Sequence, residues 1–268
     1  MTTAPVGANA PRHTAKAPAR ARKPMSWEWA PRANTYILVG LTVLGLILRI
    51  RRPDLPENFT FDEALFVKNA HHYLIGSPDD NDHPPLGKLL MALGQIAFDY
   101  NSLGWRFTSV CFGVLTVYMA YLLGKNLFAS ERAGYFSAAL IAADGFFIAY
   151  SRAGLLDGVL CCLILWTVLA AVVARNFWDV LITGLLLGLA TSVKWSGAFA
   201  VFPAALALVL LQRLPWYWVP ALGISLIVHV LIWMIGLHIT GKPSDLPALW
   251  GVMKGLFHHH LDLGSRDN

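Results

Sequence analysis

The chain reads as an all-α polytopic membrane protein, and three observations predict it. Of 268 residues, 56% are hydrophobic and only 14% charged, and the mean hydropathy is +0.52. A soluble domain needs roughly a quarter of its residues charged, which excludes a soluble enzyme, a disordered protein and a free nucleic-acid binder. The apolar residues gather into seven segments, 35–50, 107–123, 133–150, 155–174, 178–193, 196–212 and 216–236, near the ~20 residues that carry a helix across ~30 Å of hydrocarbon. The polar residues that remain concentrate in the two ends and between 51 and 106.

Taken in order, residues 1–34 are rich in Ala, Pro, Arg and Lys and lack an apolar core, so they read as a disordered basic tail and not a cleavable signal. Placing that tail in the cytosol puts Lys125, Arg132, Arg175 and Arg213 on the same side and residues 51–106 outside. The first span ends in Arg49, Arg51 and Arg52, side chains able to snorkel to the interface. In the outer loop, Pro84-Pro85 precedes Leu86, Leu89, Leu90, Leu93, Ile96 and Ala97 at helical spacing. The spacing predicts an amphipathic surface helix over 85–100; an eighth span is the alternative, opposed by Lys88 and Asp99. Residues 237–268 read as a further outer segment, broken off at Asn268. Cys111, Cys161 and Cys162 lie in apolar runs and form neither a disulfide framework nor a zinc pattern.

The charged residues at membrane depth carry the functional signal. Asp62 and Glu63 stand side by side among Phe59, Phe61 and Phe66. Partial desolvation and mutual repulsion should raise their proton affinity, the condition for a general base that deprotonates an alcohol. The competing reading is a helix N-cap by Thr60 or Asp62, with Glu63 in the first turn. His83 follows Asp79, Asp80 and Asp82, a pattern open to a divalent metal but more often simply solvated. His71-His72 and His258-His259-His260 raise the same question, and consecutive helical positions about 100° apart do not readily share one ion. No metal is expected. Arg106, Arg152, Asp157 and the Lys194-Trp195 pair fall at span ends on the outer side. Each alone can be a snorkelling side chain; together, Arg49, Arg106, Arg152 and Lys194 can surround one phosphate beside Asp62 and Glu63.

Phe61-Asp62-Glu63, His83-Pro84-Pro85-x-x-Lys88, Arg106, Ser151-Arg152-x-x-Leu155-Leu156-Asp157 and Lys194-Trp195, in this order over residues 45–260, resemble the protein O-mannosyltransferases, dolichyl- or polyprenyl-phosphate-mannose-dependent enzymes of the GT-C fold. The resemblance implies a GT-C transmembrane helix bundle with a long outer first loop. It implies catalysis by Asp62 and Glu63 on a Ser or Thr hydroxyl of an acceptor protein. Arg106, Arg152, Lys194 and Arg49 would hold the donor phosphate, while His83, Lys88, Asp157 and Trp195 would shape the site. Polyprenyl-phosphate-mannose and membrane lipids are the implied partners, and transfer inverts the sugar without metal or other cofactor. Family members carry about eleven spans, so the chain reads as the N-terminal part of a longer enzyme. With no room for a large luminal domain, a bacterial plasma membrane is expected ahead of the endoplasmic reticulum, the site facing outward. The alternatives are a GT-C enzyme with another lipid-linked sugar or a lipid acceptor, a small-solute transporter, and an inactive fragment.

Overall fold

The computed structural model describes residues 32–52, 56–78, 83–212 and 216–266, with side chains described between 35 and 258. The tail 1–31, Asp79, Asp80, Asp82, Arg213 and the side chains of His259 and His260 lie outside the described residues.

Every regular element among the described residues is helical. α1 (Arg32–Ile50) leads to the long loop, which holds α2 (Glu63–Ile75) and α3 (Leu86–Phe98). α4 (Ser102–Phe128) returns through the bundle, followed by α5 (Glu131–Ala143), α6 (Gly145–Arg152), α7 (Asp157–Val173) and α8 (Phe177–Val193). A 3-10 turn (Trp195–Ala200), α9 (Val201–Leu206) and a π turn (Ala207–Leu211) cross back to α10 (Trp218–Ile239), and α11 (Leu246–Arg266) follows. α4 packs on α1, α3, α5 and α7; α8 joins α7 to α10. Side-chain caps start the helices where orphan N–H groups need partners: Asn101 at α4, Ser130 at α5, and an Asn176/Asp179 capping box at α8.

By length and composition, Ser102–Phe128 and Trp218–Ile239 can each cross a membrane, and the bent pair α5 and α6, taken as one span, is a third among the described residues. The other predicted segments form shorter apolar helices of 10–17 residues. Two departures have clear causes. The segment predicted as one span over 133–150 is broken, with a bend of 60°. Asp144 leaves the helical region and its carboxylate accepts the Phe147 N–H at 2.5 Å, which starts α6 anew; Asp prefers such a cap to a helix interior. The segment 196–212 is a mixed 3-10, α and π path because Pro203 donates no N–H and Gly197 lies where a Cβ would be 2.2 Å from the Ala190 carbonyl.

α3 occupies the predicted stretch, and its faces divide unexpectedly. Gly87, Lys88, Met91, Ala92, Gly94 and Gln95 point inward, while Leu93 and Ile96 are exposed. Close approach to α4 explains this, since a Cβ on Gly94 would sit 2.2 Å from the Gly104 carbonyl oxygen. Leu93 and Ile96 are left outward, while Leu86 and Leu90 pack on the core.

Candidate active site

One short stretch, Ser151 to Asp157, from the end of α6 to the start of α7, brings together Arg49, Glu63, Arg152, Asp157 and Lys194. Five of its positions are tied to other parts of the chain. Ser151 Oγ accepts from Arg49 Nε at 2.8 Å. Arg152 donates to the carbonyls of Arg51 and Arg52 at 2.6 and 3.4 Å. The Gly154 N–H reaches Glu63 Oε1 at 2.7 Å, the Leu155 carbonyl accepts from Ser109, and Asp157 Oδ1 meets Lys194 Nζ at 3.1 Å.

The acidic pair is split. Glu63 is fully buried. Its Oε1 accepts from Arg106 Nε (2.8 Å) and Gly154 N, and its Oε2 from a second Arg106 nitrogen (3.0 Å), the Thr60 N–H (2.9 Å) and the Thr60 hydroxyl (3.0 Å). Burial pushes this carboxyl up, but the hydrogen bonds from Arg106, Gly154 and Thr60, with the Arg106 charge, outweigh it and hold the group below its ordinary value. The raised proton affinity expected from the sequence therefore does not hold at Glu63, an ionised anchor. Space at Gly154 is tight: a Cβ would lie 3.1 Å from Glu63 Oε1 and 3.2 Å from the Trp105 ring.

Asp62 faces the other way. It occupies the N-cap position of α2 but makes no capping hydrogen bond, and it is exposed. The N-cap reading thus gave the right position without the side-chain bond, and Thr60, the other candidate, gives its N–H and hydroxyl to Glu63. Phe61 explains the split: its φ of 48° is left-handed, which costs a non-glycine residue roughly 1–2 kcal/mol. At this turn the Phe61 ring is 90% exposed, and of the two acids that start α2, Asp62 is exposed and Glu63 buried.

Of the four basic residues expected to surround one phosphate, two are engaged inside the protein. Arg106 is 1% exposed on Glu63, with the Asn58 carbonyl at 3.5 Å. Arg49 is fully buried, donating also to the carbonyls of Gly45 (3.0 Å) and Ile141 (3.3 Å), with its guanidinium 5.2 Å from the Phe147 ring centre. Arg152 and Lys194 remain half-exposed at the same end of the bundle. Lys88 is buried, its ammonium on the His83 carbonyl at 2.7 Å and 5.9 Å from the Tyr73 ring, and the His83 ring packs against Phe66 at 5.5 Å. Trp195 lies against Trp233 and His229 of α10. Among the described residues no group of three His, Cys, Asp or Glu side chains gathers as a metal site would.

Residues 39–240 match the sequence family described as dolichyl-phosphate-mannose-protein mannosyltransferase. The chain belongs to this family. A polyprenol-phosphate-mannose–protein mannosyltransferase of Mycobacterium tuberculosis is 32% identical over 215 residues, 66% of this chain and 41% of that protein. Its Mycolicibacterium smegmatis counterpart is 30% identical over 202 residues, 63% and 39%. Dolichyl-phosphate-mannose–protein mannosyltransferase 1 of Saccharomyces cerevisiae is 29% identical, covering 62% of this chain and 23% of that one. The chain thus spans about two fifths of the length of the mycobacterial relatives. The solved S. cerevisiae protein O-mannosyltransferase Pmt1-Pmt2 complex, bound to the sugar donor, superposes at a TM-score of 0.68 with 22% identity, over 80% of this chain and 35% of that one. The mannosyltransferase fold is therefore that of an integral membrane, all-α GT-C bundle.

Sequence reasoning had Thr60 only as an N-cap candidate and missed Gly154 and His229. Gly154, which with Thr60 completes the Glu63 anchor, has no side chain to signal a role. His229 was detectable, being the one histidine inside the apolar segment 216–236, where an ionisable residue is a functional candidate by default.

Proposed function

We propose that the chain forms the catalytic part of a membrane glycosyltransferase that moves mannose from polyprenyl-phosphate-mannose to Ser or Thr hydroxyls of proteins. The observation that carries this reading is the exposed Asp62 carboxylate, fixed one residue from a buried Glu63–Arg106 anchor, on the same end as Arg152 and Lys194. Asp62 takes the proton of the acceptor hydroxyl, whose oxygen attacks the anomeric carbon as the bond to the lipid phosphate breaks. Arg152 and Lys194 stabilise the charge that develops on the leaving phosphate. One displacement inverts the configuration at the sugar, and guanidinium and ammonium groups suffice for a monophosphate, so the reaction needs no metal. Glu63 and Arg106 are positioning residues that hold the Asp62 turn against the 151–157 connector. The basic tail stays in the cytosol and the loop 51–106 faces outward; the mycobacterial relatives favour a bacterial plasma membrane.

The test is transfer of labelled mannose from polyprenyl-phosphate-mannose to a Ser/Thr peptide by purified chain in the presence of chelator. Asp62→Asn should abolish transfer, and full activity in that variant removes the assignment. Transfer from a glucose-bearing lipid at equal rate would favour the reading of another lipid-linked sugar.

A further inference from the structure

α8 and α10 meet in a cluster that the reaction above does not use. Ser192 Oγ donates to the Gly188 carbonyl at 2.7 Å, which commits its only proton. His229 Nδ1 lies 3.1 Å from the same oxygen, so the bond between them requires the ring to donate. The imidazole is therefore the Nδ1–H tautomer, and Nε2 presents a lone pair to which no hydrogen bond runs among the described residues. The ring is half-buried in an apolar span, a costly place for a polar group without a second partner.

The rings beside His229 are aromatic. Trp195 stands edge-on to the His229 ring at 5.4 Å and stacks on Trp233 at 6.1 Å and 28°. The buried Trp233 indole N–H has no hydrogen-bond partner among the described residues. Trp195 follows Lys194 directly in sequence, and Lys194 is tied to Asp157 on the connector. An acceptor, a spare donor and indole faces one residue from a phosphate-seeking ammonium match a pyranose, whose hydroxyls donate and whose C–H face stacks on aromatic rings.

We propose that His229, Trp195 and Trp233 form the subsite for the hexose ring of the lipid-linked sugar, with His229 Nε2 accepting a ring hydroxyl and Trp195 as stacking platform. The proposal rests on the donor being a lipid-phosphate sugar, and its test is separate from transfer. Purified chain in detergent is titrated with polyprenyl-phosphate and with polyprenyl-phosphate-mannose, and the ratio of the two dissociation constants gives the contribution of the sugar. Wild type should bind the mannosylated lipid more tightly. His229→Phe should lose about tenfold of that preference, the scale of one hydrogen bond, and leave binding of the bare phosphate lipid unchanged. His229→Gln, which keeps an acceptor, should recover part of it, and Trp195→Leu should lower it independently. Equal affinity of wild type for both lipids, an unchanged ratio in His229→Phe and Trp195→Leu, or equal weakening of both lipids overturns the subsite. A chain that prefers the mannosylated lipid through His229 yet transfers nothing to peptide contradicts the proposed reaction and leaves the subsite standing.

Discussion

Arg106 grips Glu63 at two points, Nε on Oε1 at 2.8 Å and a second guanidinium nitrogen on Oε2 at 3.0 Å, with both side chains closed to solvent. Such a pair is worth little against an apolar replacement, but breaking it from one side strands a charge and costs about 3–5 kcal/mol. Arg106→Ala should therefore lower the unfolding midpoint sharply. Arg106→Lys keeps the charge and loses the planar fork, so it should fall between. An unchanged midpoint in Arg106→Ala would mean that the anchor does not hold the loop.

The same pair sets an acid limit. The Glu63 carboxyl in the folded protein lies below its ordinary value of 4.5. A depressed folded value contributes stability that is present above the unfolded value and is lost as pH falls through the folded one. Stability should thus decline below about pH 4.5 in wild type, and the gap between wild type and Glu63→Gln should shrink over that range. Melting both proteins from pH 7 to 3 checks the sign; a gap that widens in acid contradicts it.

Asp62 should behave oppositely to its neighbour. Its side chain makes no capping bond, so Asp62→Asn should leave the midpoint within about 0.5 kcal/mol, as exposed substitutions do, while removing mannose transfer. Melting and transfer assayed on the same preparations separate the two acids. A large loss of stability in Asp62→Asn would return it to a capping role.

How much of this was written in the sequence depends on what each residue signals alone. The apolar segments marked the helices, because membrane crossing imposes length and composition. The motif Ser151-Arg152-x-x-Leu155-Leu156-Asp157 marked the connector. The division of labour within Asp62-Glu63 was not legible, since it hangs on the left-handed Phe61 and on a glycine 91 residues further on. Arg49 and Arg152 look alike as arginines at span ends; only packing shows that one is an internal strut and the other faces outward.

The α3–α4 contact offers a steric test. A Cβ on Gly94 would meet the Gly104 oxygen at 2.2 Å, and one on Gly104 would meet the Asp99 oxygen at 2.1 Å. Both obstacles are backbone, which cannot swing away. Gly94→Ala and Gly104→Ala should each cost about 1–3 kcal/mol by overpacking, whereas Gly40→Ala, with nothing within 4 Å, should be tolerated. Comparing the three midpoints decides it; a neutral Gly94→Ala would mean that α3 is free to lift from α4.

Arg49 and Arg152 give the sharpest contrast. Arg49 fastens α1 to both halves of the broken span, through Ser151 on α6 and the Ile141 carbonyl near the end of α5. Arg49→Met keeps length and loses those bonds, so it should destabilise by about 1–3 kcal/mol through partners left unmet. Polyprenyl-phosphate binding by the folded fraction should change little. Arg152 spends its hydrogen bonds on two backbone carbonyls at the surface, those of Arg51 and Arg52. Arg152→Ala should leave the midpoint nearly unchanged and weaken binding of polyprenyl-phosphate about tenfold, the loss of one charge-assisted contact. If Arg49→Met weakened lipid binding more than Arg152→Ala did, the strut would be the phosphate ligand, and the broken span would need another explanation for its shape.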